Sequence, residues 1–81
     1  MDETVYTLTF NTTVDAFRAE DALCEMNALV IPLPTAIDAG CGFALRVAAA
    51  DLSFVKKTKC SGVYLTTGYG AARRYEKINT G

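Results

Sequence analysis

The chain has no histidine among its 81 residues, and this one absence removes much of ordinary enzyme chemistry. Cys-His and Ser-His dyads, the commonest metal ligand and the usual general base near neutral pH all require an imidazole. Cysteine is scarce as well: Cys24, Cys41 and Cys60 are odd in number and widely spaced, which suits neither a disulfide framework nor a closed zinc site. No metal and no cofactor are expected, and a carrier or binding protein is expected rather than a true enzyme. Neither charge sign is in excess, with eight basic residues against nine acidic ones and no run of either. A phosphate backbone or an anionic membrane therefore finds no electrostatic footprint, and nucleic acid is not an expected partner. No apolar run approaches the roughly 20 residues of a membrane span, and the opening Met1-Asp2-Glu3-Thr4 lacks the basic start of a signal peptide. The expected location is the cytoplasm.

What is present suits a compact domain. Hydrophobic residues make up 51% and charged residues 21%, a balance that folds rather than stays disordered. Residues 1–81 read as one domain, near the size at which a lone core is marginal, so a homodimer is a natural expectation.

Val5 to Phe10 alternates Tyr6, Leu8 and Phe10 against Val5, Thr7 and Thr9, the period of a strand. Thr12 with Asp15 three residues later approximates a capping box and predicts a helix from about Thr13 to Asn27. Its apolar arc comprises Ala16, Phe17, Ala19, Leu23, Cys24 and Met26, with Cys24 read as a core thiol and Glu20 near the middle of the arc. Ala28 to Ile31 is a second strand, ended by Pro32 and Pro34 and suited to an edge. Phe43 to Ala49 is a third, with Arg46 on the face opposite Phe43, Leu45 and Val47. Asp51 is positioned to cap a second helix from Leu52 to about Lys59, with Leu52 and Val55 inward. Val63 to Thr67 is the fourth strand. Residues 71–81 read as a C-terminal tail or a short extra strand. The resulting order predicts an α+β fold, a ferredoxin-like βαββαβ sandwich. Its four antiparallel strands would run in the order 4-1-3-2, with both helices on one face. A dimer contact would then use the edge of strand four or the helix-free face.

Reactive chemistry concentrates at Gly40-Cys41-Gly42, where a thiol between two glycines has little side-chain cover. In the expected topology this loop, the end of strand one and the start of helix one share one end of the sheet, which brings Cys41 near Asn11, Thr12 and Thr13. Unpaired amides and the partial positive charge of a helix start favour a thiolate. Cys60 is expected on the same rim as a candidate resolving thiol. The plainer alternative is that Gly40 and Gly42 serve a tight turn and a bulge, with Cys41 a small buried residue.

Tyr6-Thr7-Leu8-Thr9-Phe10, Thr12-Thr13-x-Asp15-Ala16, Ile31-Pro32-Leu33-Pro34 and Gly40-Cys41-Gly42-Phe43-Ala44-Leu45-Arg46 together resemble the Putative Se/S carrier protein-like family of small bacterial proteins. The resemblance covers about residues 5–49, and Thr35 stands where family members usually carry arginine. It implies a carrier that holds sulfur or selenium as a persulfide or selenosulfide on Cys41, between donor and acceptor proteins. Arg46 is the candidate for added positive charge. Two further readings stand beside it: a noncatalytic dimeric module binding a ligand or protein, and a redox sensor pairing Cys41 with Cys60.

Overall fold

Alternation along the first strand sets the architecture. The computed structural model describes residues 4–34, 37, 42–68 and 72–78. Strand β1 (Thr4–Thr9) pairs antiparallel on one side with β3 (Phe43–Ala49), Leu8 opposite Leu45, and on the other with β4 (Gly62–Thr67), Leu8 opposite Val63. Outside β3 lies β2 (Leu29–Pro32), and outside β4 lies β5 (Arg74–Ile78), giving the antiparallel order β2-β3-β1-β4-β5. Helix α1 (Thr13–Ala22) packs on β2 and β3, and a 3-10 turn at Cys24–Met26 extends it to Asn27, whose left-handed φ of 56° ends the run.

The core gathers on the side that carries α1. Leu8, Phe10, Leu23, Leu45, Val47 and Val63 are fully enclosed, and α1 adds Ala16 and Ala19. Full burial of each large apolar side chain contributes about 1.5–3 kcal/mol. Thr7 and Thr9 point to the opposite face yet are also buried. Their hydroxyls are satisfied laterally: Thr7 Oγ1 lies 2.7 Å from Thr66 Oγ1, and Thr9 Oγ1 lies 3.0 Å from Ser61 Oγ. A buried hydroxyl without such a partner would cost stability rather than add it.

The four-stranded, two-helix ferredoxin-like sandwich is not what forms. Among the described residues the sheet has five strands and there is one α-helix. The expected second helix is a single 3-10 turn, Ser53–Lys57. Asp51 does accept hydrogen bonds, from the Ser53 amide at 2.9 Å and the Ser53 hydroxyl at 2.7 Å, but this local turn starts nothing longer. The segment has one buried side chain, Phe54, followed by β-branched Val55 and then three exposed lysines with β-branched Thr58 among them. One anchor holds one turn, and Thr58 returns to extended backbone with its hydroxyl donated to the Val55 carbonyl. Phe54, 5.8 Å from Tyr6 between ring centroids, is thus the inward residue, while Leu52 and Val55 are half-buried.

The fifth strand removes β4 as a free edge, so the dimer contact expected there has no open backbone to use. At the β4–β5 connection Gly68 adopts a φ of +80°, and a Cβ there would stand 2.5 Å from the Ala72 carbonyl oxygen. The helix face is also narrower than its sequence suggests. Cys24 is exposed rather than in the core, and Phe17 is half exposed. Glu20 is half-buried because its carboxylate has a partner, accepting a hydrogen bond from the Val30 amide of β2 at 3.1 Å.

Two measurements check this account. Phe54→Ala removes the anchor of the turn and is expected to cost about 3–5 kcal/mol, read as a lower urea midpoint at unchanged slope. Hydrogen bonds from Ser53 hold the Asp51 carboxyl below its ordinary value of 3.8. A group whose folded pKa is depressed stabilises the fold above its unfolded value, and that contribution is lost as pH falls through the folded one. Asp51 is fully exposed, so the effect is small; the stability difference between wild type and Asp51→Asn should be present at neutral pH and fade as pH falls from about 3.8 through the lower folded value.

Candidate functional site

Several of the residues singled out in the sequence meet at one end of the sheet. The registers put Thr9 of β1 opposite both Ala44 of β3 and Gly62 of β4, while Pro32 of β2 lies opposite Phe43. Ser61 donates its amide to the Thr9 carbonyl at 2.7 Å, tying the entry of β4 to the exit of β1. Asn11 and Thr12 follow directly. Thr12 has extended backbone, φ −136° and ψ 155°, and its Oγ1 accepts the Asp15 amide at 3.1 Å, so it caps α1 as its sequence predicts. Asp15 in the first turn complements the positive end of the helix. Asn11 and Thr12 are exposed and Thr13 is half-buried.

Gly40 and Cys41 lie outside the described residues. Gly42, next in the chain, is exposed and has a φ of +97°. No atom stands within 4 Å of where its Cβ would be, so glycine is required there by backbone conformation and not by crowding. Its carbonyl accepts the Leu33 amide at 2.9 Å and closes the β2–β3 ladder. Within the connecting loop Ile37 is 3% exposed, and its amide reaches the Pro34 carbonyl at 3.0 Å.

Cys60 is half-buried and packs on the core cluster beside Ser61. Arg46 is not part of the rim. It sits mid-strand opposite Thr7 and Leu29 and lines a separate open groove of about 470 Å³ together with Glu25 and Asp51, towards the other end of β3. Cys24 opens into a shallow hollow between α1 and β2 whose walls include Glu20 and Asp21. Among the described residues no group of three or more cysteine or carboxylate side chains is placed to hold a metal ion, and no helix is long and apolar enough to cross a membrane.

One feature escaped the sequence. Phe17 of α1 and Phe43 of β3 face each other with ring centroids 6.3 Å apart, and they are 51% and 39% exposed. Periodicity sets Phe17 on the apolar arc of the helix and Phe43 on the strand face of Leu45 and Val47. The signal lay in Ala16 and Ala19, whose small side chains let the helix approach the sheet along one narrow stripe and turn Phe17 off it.

Residues 5–60 match the model of the family described as Putative Se/S carrier protein-like. No curated protein and no solved structure matches the chain.

Gly42→Ala places a side chain in the left-handed region without any clash. It should cost about 1–2 kcal/mol, seen as a lower denaturation midpoint with faster exchange of the Leu33 amide.

Proposed function

The chain belongs to the Putative Se/S carrier protein-like family, and from that membership we propose that it carries sulfane sulfur or selenium on Cys41. The match is the observation that carries this reading; it spans all three cysteines, so the choice among them rests on chemistry. In the transfer a thiolate, R–S⁻, leaves the donor. Glu20 and Asp21 beside Cys24 repel that anion, and Cys60 is partly taken up in packing against the core. Cys41 has a glycine on each side, which leaves room for a bulky donor or acceptor.

The step is a thiol exchange. The Cys41 thiolate attacks the outer sulfur of a donor persulfide, R–S–SH; the donor's S–S bond breaks, R–S⁻ leaves, and Cys41 holds –S–SH. An acceptor thiolate then attacks that outer sulfur and releases the Cys41 thiolate. Oxidation state balances across both halves, and selenium in the outer position follows the same path. No general base is needed once the thiol is ionised. Gly40 and Gly42 give access. Asn11, Thr12 and Thr13, at the capped start of α1, bring its positive end to the same end of the sheet at which Gly42, the chain neighbour of Cys41, leads into β3, which supports an anionic sulfur on Cys41. The exposed Phe17–Phe43 pair offers donor and acceptor proteins an apolar contact. One thiol suffices for the transfer, so Cys60 has no required role.

Incubation with a small-molecule persulfide, followed by trapping and mass spectrometry, should locate one added sulfur on Cys41. Cys41→Ser should lose it while Cys24→Ser and Cys60→Ser keep it. Added sulfur on Cys24 or Cys60 instead, or on none, refutes the assignment.

A further inference from the structure

The sheet has two edges, and they are not equivalent. An edge strand accepts another strand through its outward amides and carbonyls. On β2 the outward amide of Val30 is already taken by Glu20, while the inward direction is marked by Leu33, whose amide goes to Gly42. The next outward position is Pro32, which has no N–H to offer. The four-residue edge of β2 is closed. Strand β5 has neither device: Arg74-Tyr75-Glu76-Lys77-Ile78 contains no proline, and no described side chain caps its outer backbone.

We propose that a second copy of this chain adds at β5 across a two-fold axis, joining the two five-stranded sheets into one. The axis stands perpendicular to the sheet, so each face of one copy continues into the same face of the other. Residues opposite one another must then share a face, which leaves registers centred on single residues. Centring on Glu76 sets it against the partner's Glu76, centring on Lys77 sets lysine against lysine, and centring on Arg74 sets arginine against arginine. Centring on Tyr75 pairs the two tyrosines at the axis and places Arg74 opposite the partner's Glu76, twice by symmetry. Arg74 and Glu76 are both exposed, and Tyr75 is half-buried. Cross-strand aromatic and opposite-charge pairs are the favourable ones, and like charges directly opposite are not. This register also sets Arg73 against the partner's Lys77, but Arg73 precedes β5 and has its Nε buried, while Lys77 is exposed and free to turn to water. The reciprocal Arg74–Glu76 pairing, made twice by the two-fold axis within β5 itself, is what favours a second copy of this chain and this register.

A strand pair of this length buries less than the roughly 1,200 Å² of stable complexes, so association is weak, with a Kd on the order of 100 μM. Sedimentation velocity of the full chain from about 10 μM to about 1 mM should show a rising dimer fraction; a monomer of 8.7 kDa throughout overturns the proposal. Arg74→Glu and Glu76→Arg should each weaken self-association about tenfold or more. Mixed in equal amounts, the two variants should form a heterodimer, and the double variant should recover the homodimer. A dimer indifferent to either reversal, or not recovered on mixing, places the contact elsewhere. Should a charge variant fail to fold, Tyr75→Cys replaces it: mild oxidation should link the two substituted positions, located by mass spectrometry, and links confined to other cysteines refute the register.

Discussion

Everything in the sheet is registered on β1. It is the only described strand with a long partner on each side that is itself paired outward, so its alternation dictates which residues of β3 and β4 enter the core. Tyr6 and Leu8, with Phe10 beyond them, fix the apolar face; Thr7 and Thr9 fix the other, where buried hydroxyls must find Thr66 and Ser61. A shift of one residue would bury the wrong set and strand two hydroxyls. The rim follows from the same constraint, because the end of β1 delivers Thr9, Asn11 and Thr12 to where β3 begins at Phe43 and β4 at Gly62.

The strands were legible because period-two alternation is local, and β1, β2, β3 and β4 fall within a residue or so of where the sequence sets them. The capped start of α1 was legible for the same reason: Thr12 and Asp15 are three residues apart and meet within one turn. The second helix does not form because Leu52, Phe54 and Val55 crowd its start and nothing apolar follows them to Lys59. Phe54 alone is buried, and the lysines that suit a helix end have no helix to end. Strand β5 could not be told from a tail, since its charged residues carry little pattern and its only support is β4, nearly a turn and a strand away in sequence. Of the candidate site, topology puts the start of α1 at the end of β1, where Asn11 and Thr12 follow Thr9 directly in the chain. It did not foretell that Arg46 serves another groove or that Glu20 has a backbone amide to hold it.

A carrier needs little of a fold beyond a stable platform and one accessible thiol. The family portion, residues 5–60, contains the capped helix, the β2–β3 connection and the aromatic pair, but ends before β4 begins at Gly62. The β4–β5 hairpin therefore lies outside the matched portion in sequence, although β4 pairs with β1 in the sheet.

The hydroxyls of Thr7 and Thr66 meet across 59 residues of chain. That separation governs the order of events during synthesis. Of the described strands β1 is made before the others yet lies innermost in the finished sheet, and its two neighbours arrive about forty and sixty residues later. Closing such long loops is entropically slow, and α1, which follows β1 directly in the chain, packs on β2 and β3. The stripe of Ala16, Ala19 and Leu23 thus finds its seat only when β3 arrives, so the first helix and the innermost strand wait on the same later segment.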